Sequence, residues 1–289
     1  MGKILIIADQ KGAGHATPRG LELAERLGFD ADVVAFTYAP LKRLKLPAHE
    51  QTLIKKRLLA EREEVLQERI DNNAKPGQKV RLKVVWEKDI ARWVQQQCAG
   101  GKYAGVVKTG RRTESLVHTS TDWQLLRECQ APVLLVSAKK WHRTKPVLVT
   151  LDLSSDSATK KKLNSKVLGF AKSLAQALGV ELEIITAIEI PTLLSDLDLV
   201  DPGAYERDAR AGMQAQIGKL AAAHDISESA FFCKRGPVEK VITSRAAKVR
   251  AQIVVMGTVA RTGVKARLLG NTAEKVLRHM KTDVLAIKP

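Results

Sequence analysis

Val254, Val255 and Met256 close a β-branched apolar run, and glycines then stand at 257, 263 and 270 before Asn271 and Thr272 open a segment of helical period. Glycine between a strand and a helix suits phosphate. The first turn of a helix carries free N–H groups and the positive end of the helix dipole. Glycine lets the backbone come close to an anion and take positive φ. Arg261, Lys265 and Arg267 add positive charge to the same stretch. An ordinary surface loop uses the same residues, with Gly257 ending a strand and Asn271 or Thr272 capping a helix. Asp152, which closes the apolar run VLVTLD, is a second candidate. Its carboxylate suits a ribose hydroxyl or a base amine if its strand ends at the same sheet edge as Gly257. It also suits a helix cap, alone or through Ser154 and Ser155.

Other chemistries find less support. Gly12-x-Gly14 follows the first apolar run, but the third glycine of a dinucleotide fingerprint falls at Thr17, and Phe36-Thr37 stand where an acidic residue belongs. Thr17-Pro18 read there as a helix cap and first turn, and His15 as a surface residue. No G-x-S-x-G elbow, no H-E-x-x-H and no G-x-x-x-x-G-K-[ST] loop occurs. The six histidines form no cluster in sequence, and the three cysteines (Cys98, Cys129, Cys233) form no C-x-x-C pair. No catalytic residue and no metal site follow from such spacing. An enzyme is not expected; a slow ATPase is the residual catalytic option.

These residues need elements to hold them. Short apolar runs (KILIIA, ADVVAF, VRLKVVW, YAGVVK, PVLLVS) alternate with helical segments up to residue 137. PVLVTLD, VELEIITA, SAFFCKR, AQIVVMG and DVLAIK then repeat the order. Such alternation predicts βαβ crossovers and parallel sheets covered by helices, an α/β class with five strands in each half. TDWQLLRECQAPVLLV matches TAEKVLRHMKTDVLAI at an offset of 151: Thr121 meets Thr272, Arg127 meets Arg278, Leu134 meets Leu285. Two copies of one unit are expected, residues 1–140 and 145–289, joined across AKKWHRTKP.

The formal net charge is +17. Residues 1–140 hold 25 of the 48 basic and 16 of the 31 acidic residues, leaving 23 and 15 for the rest, so the excess is +9 and +8. A field shared so evenly attracts nucleotides, nucleic acids and anionic lipid alike. Only 4% of residues are aromatic, few for single-strand stacking. The cluster LKRLKLP with Lys55, Lys56 and Arg57 is a basic patch or a solvated helix face. No apolar run has membrane-spanning length, MGKILIIADQ reads as a first strand, and cysteine usage fits a reducing cytoplasm.

The opening VLVTLD and the ending V-V-M-G-x-x-A-x9-G-N-T-x-E-x-V-L resemble the universal stress protein family, and the two copies together its tandem, type E branch. The resemblance implies two tandem open parallel five-stranded sheets flanked by helices, Rossmann-like and of the adenine nucleotide alpha hydrolase type. It implies an ATP or related adenine-nucleotide site in the second copy, through a pattern G-x2-G-x9-G-[ST]. Carried over, that site is Asp152, Met256, Gly257, Thr258, Ala260, Gly270, Asn271 and Thr272. Ala260 replaces a glycine and Asn271 a serine or threonine; the alanine methyl can crowd a close backbone approach, whereas asparagine still hydrogen-bonds phosphate. In the first copy the matching loop, TGRRTESLVHTSTD, is three residues shorter and has no glycine before its helix. Asp9 matches Asp152, and Arg111, Arg112 and His118 offer charge. That copy is expected to have lost the cradle. The resemblance further implies a stress-response sensor or regulator that forms a homodimer or an intramolecular pseudo-dimer. The alternative is a scaffold without nucleotide, binding a protein, anionic lipid or DNA through its basic surface.

Overall fold

The computed structural model describes residues 2–10, 14–110, 121–138, 141, 143–191, 193–194, 199–258 and 271–289, without the side chains of 271 and 272. The chain divides into two compact units, Met1–Ala138 and Lys139–Pro289. In the first, β1 (Lys3–Ile7), α1 (Ala16–Leu27), β2 (Asp30–Thr37), α2 (Ala48–Asp71), β3 (Val80–Trp86), α3 (Ile90–Cys98), β4 (Gly105–Thr109), α4 (Thr121–Glu128) and β5 (Val133–Val136) alternate in order. A 3-10 turn, Leu41–Leu44, leads into α2. The strands lie parallel in the order β3-β2-β1-β4-β5.

The second unit repeats this plan with β6 (Val147–Thr150), α5 (Ala158–Leu178), β7 (Leu182–Ile188), α6 (Pro202–His224), β8 (Phe231–Arg235), α7 (Val238–Lys248), β9 (Ile253–Gly257), α8 (Asn271–His279) and β10 (Asp283–Ile287). Its order is β10-β9-β6-β7-β8, again all parallel.

The parallel pattern follows from strands that are apolar at every position. Ile4 to Ile7, Val147 to Val149 and Ile253 to Met256 are buried throughout, because helices cover both faces. The expectation of such runs fails at β3 and β8, each at one end of its unit's order. There Arg81, Lys83, Phe232, Lys234 and Arg235 are exposed, since these strands bury only part of their side chains. The repeat extends to helix termini. Gly28 and Gly179, also 151 residues apart, end α1 and α5 with φ of 66° and 67°. In each, the glycine amide and the next amide return to carbonyls three and five residues back. This left-handed stop satisfies the last carbonyls and favours glycine.

Trp141, in the segment expected to link the copies, is buried, and its indole N–H donates to Asp283 Oδ2 at 2.7 Å. That contact fastens the segment to the start of β10.

Candidate functional site

In the second unit β6 passes to β7 on one side and borders β9 on the other, so strand order reverses between β6 and β9. Their register pairs Thr150 with Met256. Asp152, two residues beyond β6, and Gly257, the last residue of β9, therefore share the carboxyl edge at the reversal. That is the position where open parallel sheets expose a crevice.

Asp152 is held from three directions. Asn164, on α5 and buried, donates Nδ2–H to the Asp152 carbonyl at 2.7 Å and accepts its amide at 3.3 Å. Leu151 just before it is fixed as well: its amide donates to the Ile185 carbonyl and its carbonyl accepts from Thr186 Oγ1. The Asp152 carboxylate accepts from Ser154 Oγ (2.7 Å) and Ser154 N (3.3 Å) through Oδ1, and from Lys160 Nζ (2.7 Å) through Oδ2. Burial raises the carboxyl pKa, but the hydrogen bonds from Lys160 and Ser154 outweigh it and hold the group below its ordinary value. Asp152 is thus an anion at neutral pH. Its side chain is 47% exposed, and a carboxylate has lone pairs for further donors. Sequence reasoning singled out Ser154 only as a cap and did not find Asn164 or Lys160. The spacing Asp152–Lys160–Asn164 gives no signal until the α5 start is fixed at Ala158.

Met256 is buried, and so is Thr258, whose amide donates to the Ile287 carbonyl at 2.8 Å. Gly257 does not adopt positive φ. Its glycine is needed for room: an added Cβ would stand 2.9 Å from Leu163 Cδ2 and 3.0 Å from Cγ. Asn271 begins α8, as the sequence suggested for Asn271 or Thr272. Ala260 and Gly270, with Arg261, Lys265 and Arg267, lie outside the described residues, as do Arg111, Arg112 and His118 in the first unit.

In the first unit the equivalent edge is filled. Ile7 pairs with Lys108 as Thr150 pairs with Met256, so Asp9 corresponds to Asp152 and Thr109 to Gly257. Thr109 Oγ1 donates to Asp9 Oδ2 at 2.8 Å and accepts the amides of Ala16 (3.0 Å) and His15 (3.3 Å). This strand residue caps α1. The cap expected at Thr17 is not made: Thr17 lies inside the helix, buried, with Oγ1 lacking a hydrogen-bond partner. A Cβ on Gly14 would overlap the Asp9 carboxylate, so loop backbone covers that group. From α2, Arg62 donates to the Asp9 carbonyl and Arg69 to the Gly14 carbonyl. Burial, then the neighbouring Arg69, lower the Arg62 pKa, and Asp9 opposes them. Where Met256 is apolar, Lys108 forms an ion pair with Asp122 at 2.5 Å, both largely buried.

Among the described residues no group of three or more His, Cys, Asp or Glu is placed to hold a metal ion. Nor, among them, is any helix long and apolar enough to cross a membrane.

Comparison with known proteins agrees with this architecture. Over 294 aligned positions the chain is 28% identical to universal stress protein E of Salmonella typhi, covering 99% of this chain and 93% of that one. A solved structure of a protein of unknown function from Pseudomonas aeruginosa matches with a TM-score of 0.70 at 23% identity, over 99% of this chain and 92% of that chain. A universal stress protein from Archaeoglobus fulgidus matches with 0.66 at 18% identity, over 99% and 96%. The universal stress protein family model matches residues 143–288. With two five-stranded parallel units, an aspartate two residues beyond the first strand of each and that match over half its length, the chain belongs to the universal stress protein family.

Proposed function

We propose that the second unit binds an adenine nucleotide, ATP or AMP, at the carboxyl edge of β6 and β9, and that the protein acts in the cytoplasm as a sensor or regulator without turning the nucleotide over. The observation that carries this is the adjacency of Asp152 and Gly257 at the reversal of strand order. Asp152 supplies a fixed carboxylate for a ribose hydroxyl or base amine. The α8 start at Asn271 supplies free amides for phosphate. Asn164 acts as a positioning residue, since it holds both backbone polar groups of Asp152. The first unit takes no nucleotide at its matching edge, because Thr109, Gly14 and the two α2 arginines occupy the surroundings of Asp9.

Titration calorimetry of the full chain with ATP, ADP and AMP tests this. One site per chain is expected. Asp152→Ala removes a charged acceptor and should weaken binding about tenfold or more. Gly270→Val should abolish binding with the fold intact. Absence of both heat and thermal stabilisation at millimolar nucleotide overturns the proposal.

A further inference from the structure

The carboxyl edge of the first unit is filled beside Asp9, but farther along it carries aromatic rings. Thr37, the last residue of β2, pairs with Trp86, the last of β3. Tyr38 follows Thr37, and its ring centroid stands 5.8 Å from that of Trp86, the planes tilted by 50°. Phe36, two residues earlier, meets Trp93 of α3 edge-on at 5.3 Å. Only 4% of the chain is aromatic, yet these two pairs lie together at the end of β2 and β3. Tyr38 is 49% exposed. The fold does not call for rings here. In the second unit Ile188 pairs with Arg235 as Thr37 pairs with Trp86, so Glu189 and Arg235 hold the places of Tyr38 and Trp86.

Positive charge gathers near the exposed ring. Lys55 lies on the side of α2 that carries Arg62, seven residues on, and holds its Nζ 5.5 Å over the Trp86 ring. The chain after Tyr38 folds back on itself: the Leu41 amide donates to the Ala39 carbonyl and the Arg43 amide to the Pro40 carbonyl. Lys42 and Arg43 stay within about 18 Å of Tyr38, the reach of five extended residues. Both are exposed, as is Lys45 just after the turn. Between Tyr38 and Lys55 the one acid is Glu50, half-buried. Beyond β3 the acids are engaged with backbone. Glu87 Oε1 accepts the Lys88 and Asp89 amides at 2.7 and 2.8 Å, and Asp89 Oδ1 accepts the Arg92 amide at 3.0 Å.

We infer that this edge binds single-stranded nucleic acid. A base stacks on the exposed face of Tyr38, and Lys42, Arg43, Lys45 and Lys55 take the phosphates of that nucleotide and its neighbours. Every base has a π face, so such a platform tolerates any sequence. A duplex keeps its bases stacked on one another and has none to offer Tyr38. A bilayer rewards a group of inserted aliphatic side chains. Leu44 is exposed here, but Leu53, the next exposed leucine, lies about 160° around α2 from Lys55. An acidic protein segment would use the cations without calling for a ring.

Fluorescence anisotropy of a labelled twelve-residue oligothymidylate, titrated with the full chain at low salt, tests this edge. Log K should fall against log salt with a slope of about −3, from about −0.7 for each of four phosphates. Tyr38→Ala should weaken binding about tenfold and Tyr38→Phe should not, because stacking needs the ring and not the hydroxyl. K42Q/R43Q should weaken binding and flatten the slope by about half. K234Q/R235Q removes the same charge from the matching edge of the second unit and should leave affinity unchanged. All five positions are exposed, and circular dichroism confirms that the variants fold. Absence of binding overturns the inference, as does a Tyr38→Ala variant that binds like wild type. An equal loss in K234Q/R235Q makes net charge the cause and overturns it too. So does thymidine monophosphate that binds as tightly as the oligomer, since no strand is then read. Flotation with phosphatidylglycerol vesicles in place of oligonucleotide binding, lost in Tyr38→Ala, would give the edge to lipid instead.

Discussion

Thr109 Oγ1 lies 2.8 Å from Asp9 Oδ2 and accepts the first amides of α1 at the same time. One hydroxyl thereby closes the edge that its counterpart, Gly257, leaves without a side chain. Thr109→Val keeps the shape and removes the hydroxyl. It leaves Asp9 short of a donor and the His15 and Ala16 amides short of an acceptor. A loss of about 1–2 kcal/mol is expected by urea unfolding, with Thr109→Ser close to wild type. A neutral Thr109→Val would show that the hydroxyl is not needed for the cap.

Lys108 and Asp122 in the first unit correspond to Met256 and Ala273 in the second, which are buried and apolar. The repeat thus carries one position pair in two chemistries. Lys108→Met or Asp122→Ala alone removes one partner of this largely buried ion pair and should cost about 3–5 kcal/mol. The double variant K108M/D122A imports the second unit's solution and should recover most of that loss. A double-mutant cycle from denaturant midpoints reads the coupling, and simple additivity would refute it.

Leu163 dictates glycine at 257 by proximity. Gly257→Ala forces the Leu163 tip aside and should cost about 1–3 kcal/mol. In G257A/L163A the methyl enters vacated space, so the combined loss should fall short of the sum of the single losses. Melting of the three variants checks this. An equal sum would mean that the two sites do not touch energetically.

The depressed Asp152 pKa makes a pH-dependent contribution. Because the folded value lies below the unfolded one, the stabilisation is present above the unfolded pKa of about 3.9 and fades as pH falls through the folded value. Solvent at this half-exposed site keeps the effect small. Urea midpoints of wild type and Asp152→Asn should differ most above about pH 4 and converge below it. A gap that persists in acid would assign the difference to shape instead of charge. Lys160→Gln should narrow the gap at neutral pH.

The sequence by itself determined the strand and helix order, the two copies and the parallel class. Those follow from local pattern: buried parallel strands must be apolar at every position, and the helices between them must cross over. It also determined that Asp152 and Gly257 would stand at one sheet edge, because in a parallel sheet the end of every strand points the same way. Only the tertiary structure decided what holds them there. Asn164 bonds Asp152 across 12 residues, Thr109 caps α1 across 93, and Arg62 reaches Asp9 across 53. Such partners are chosen by packing between elements, and no local period records them. The same is true of Gly257, whose glycine answers to Leu163 on a neighbouring helix and not to its own backbone angle. Pattern fixes which atoms reach the edge of the sheet; side chains arriving from distant segments fix whether that edge is open or filled.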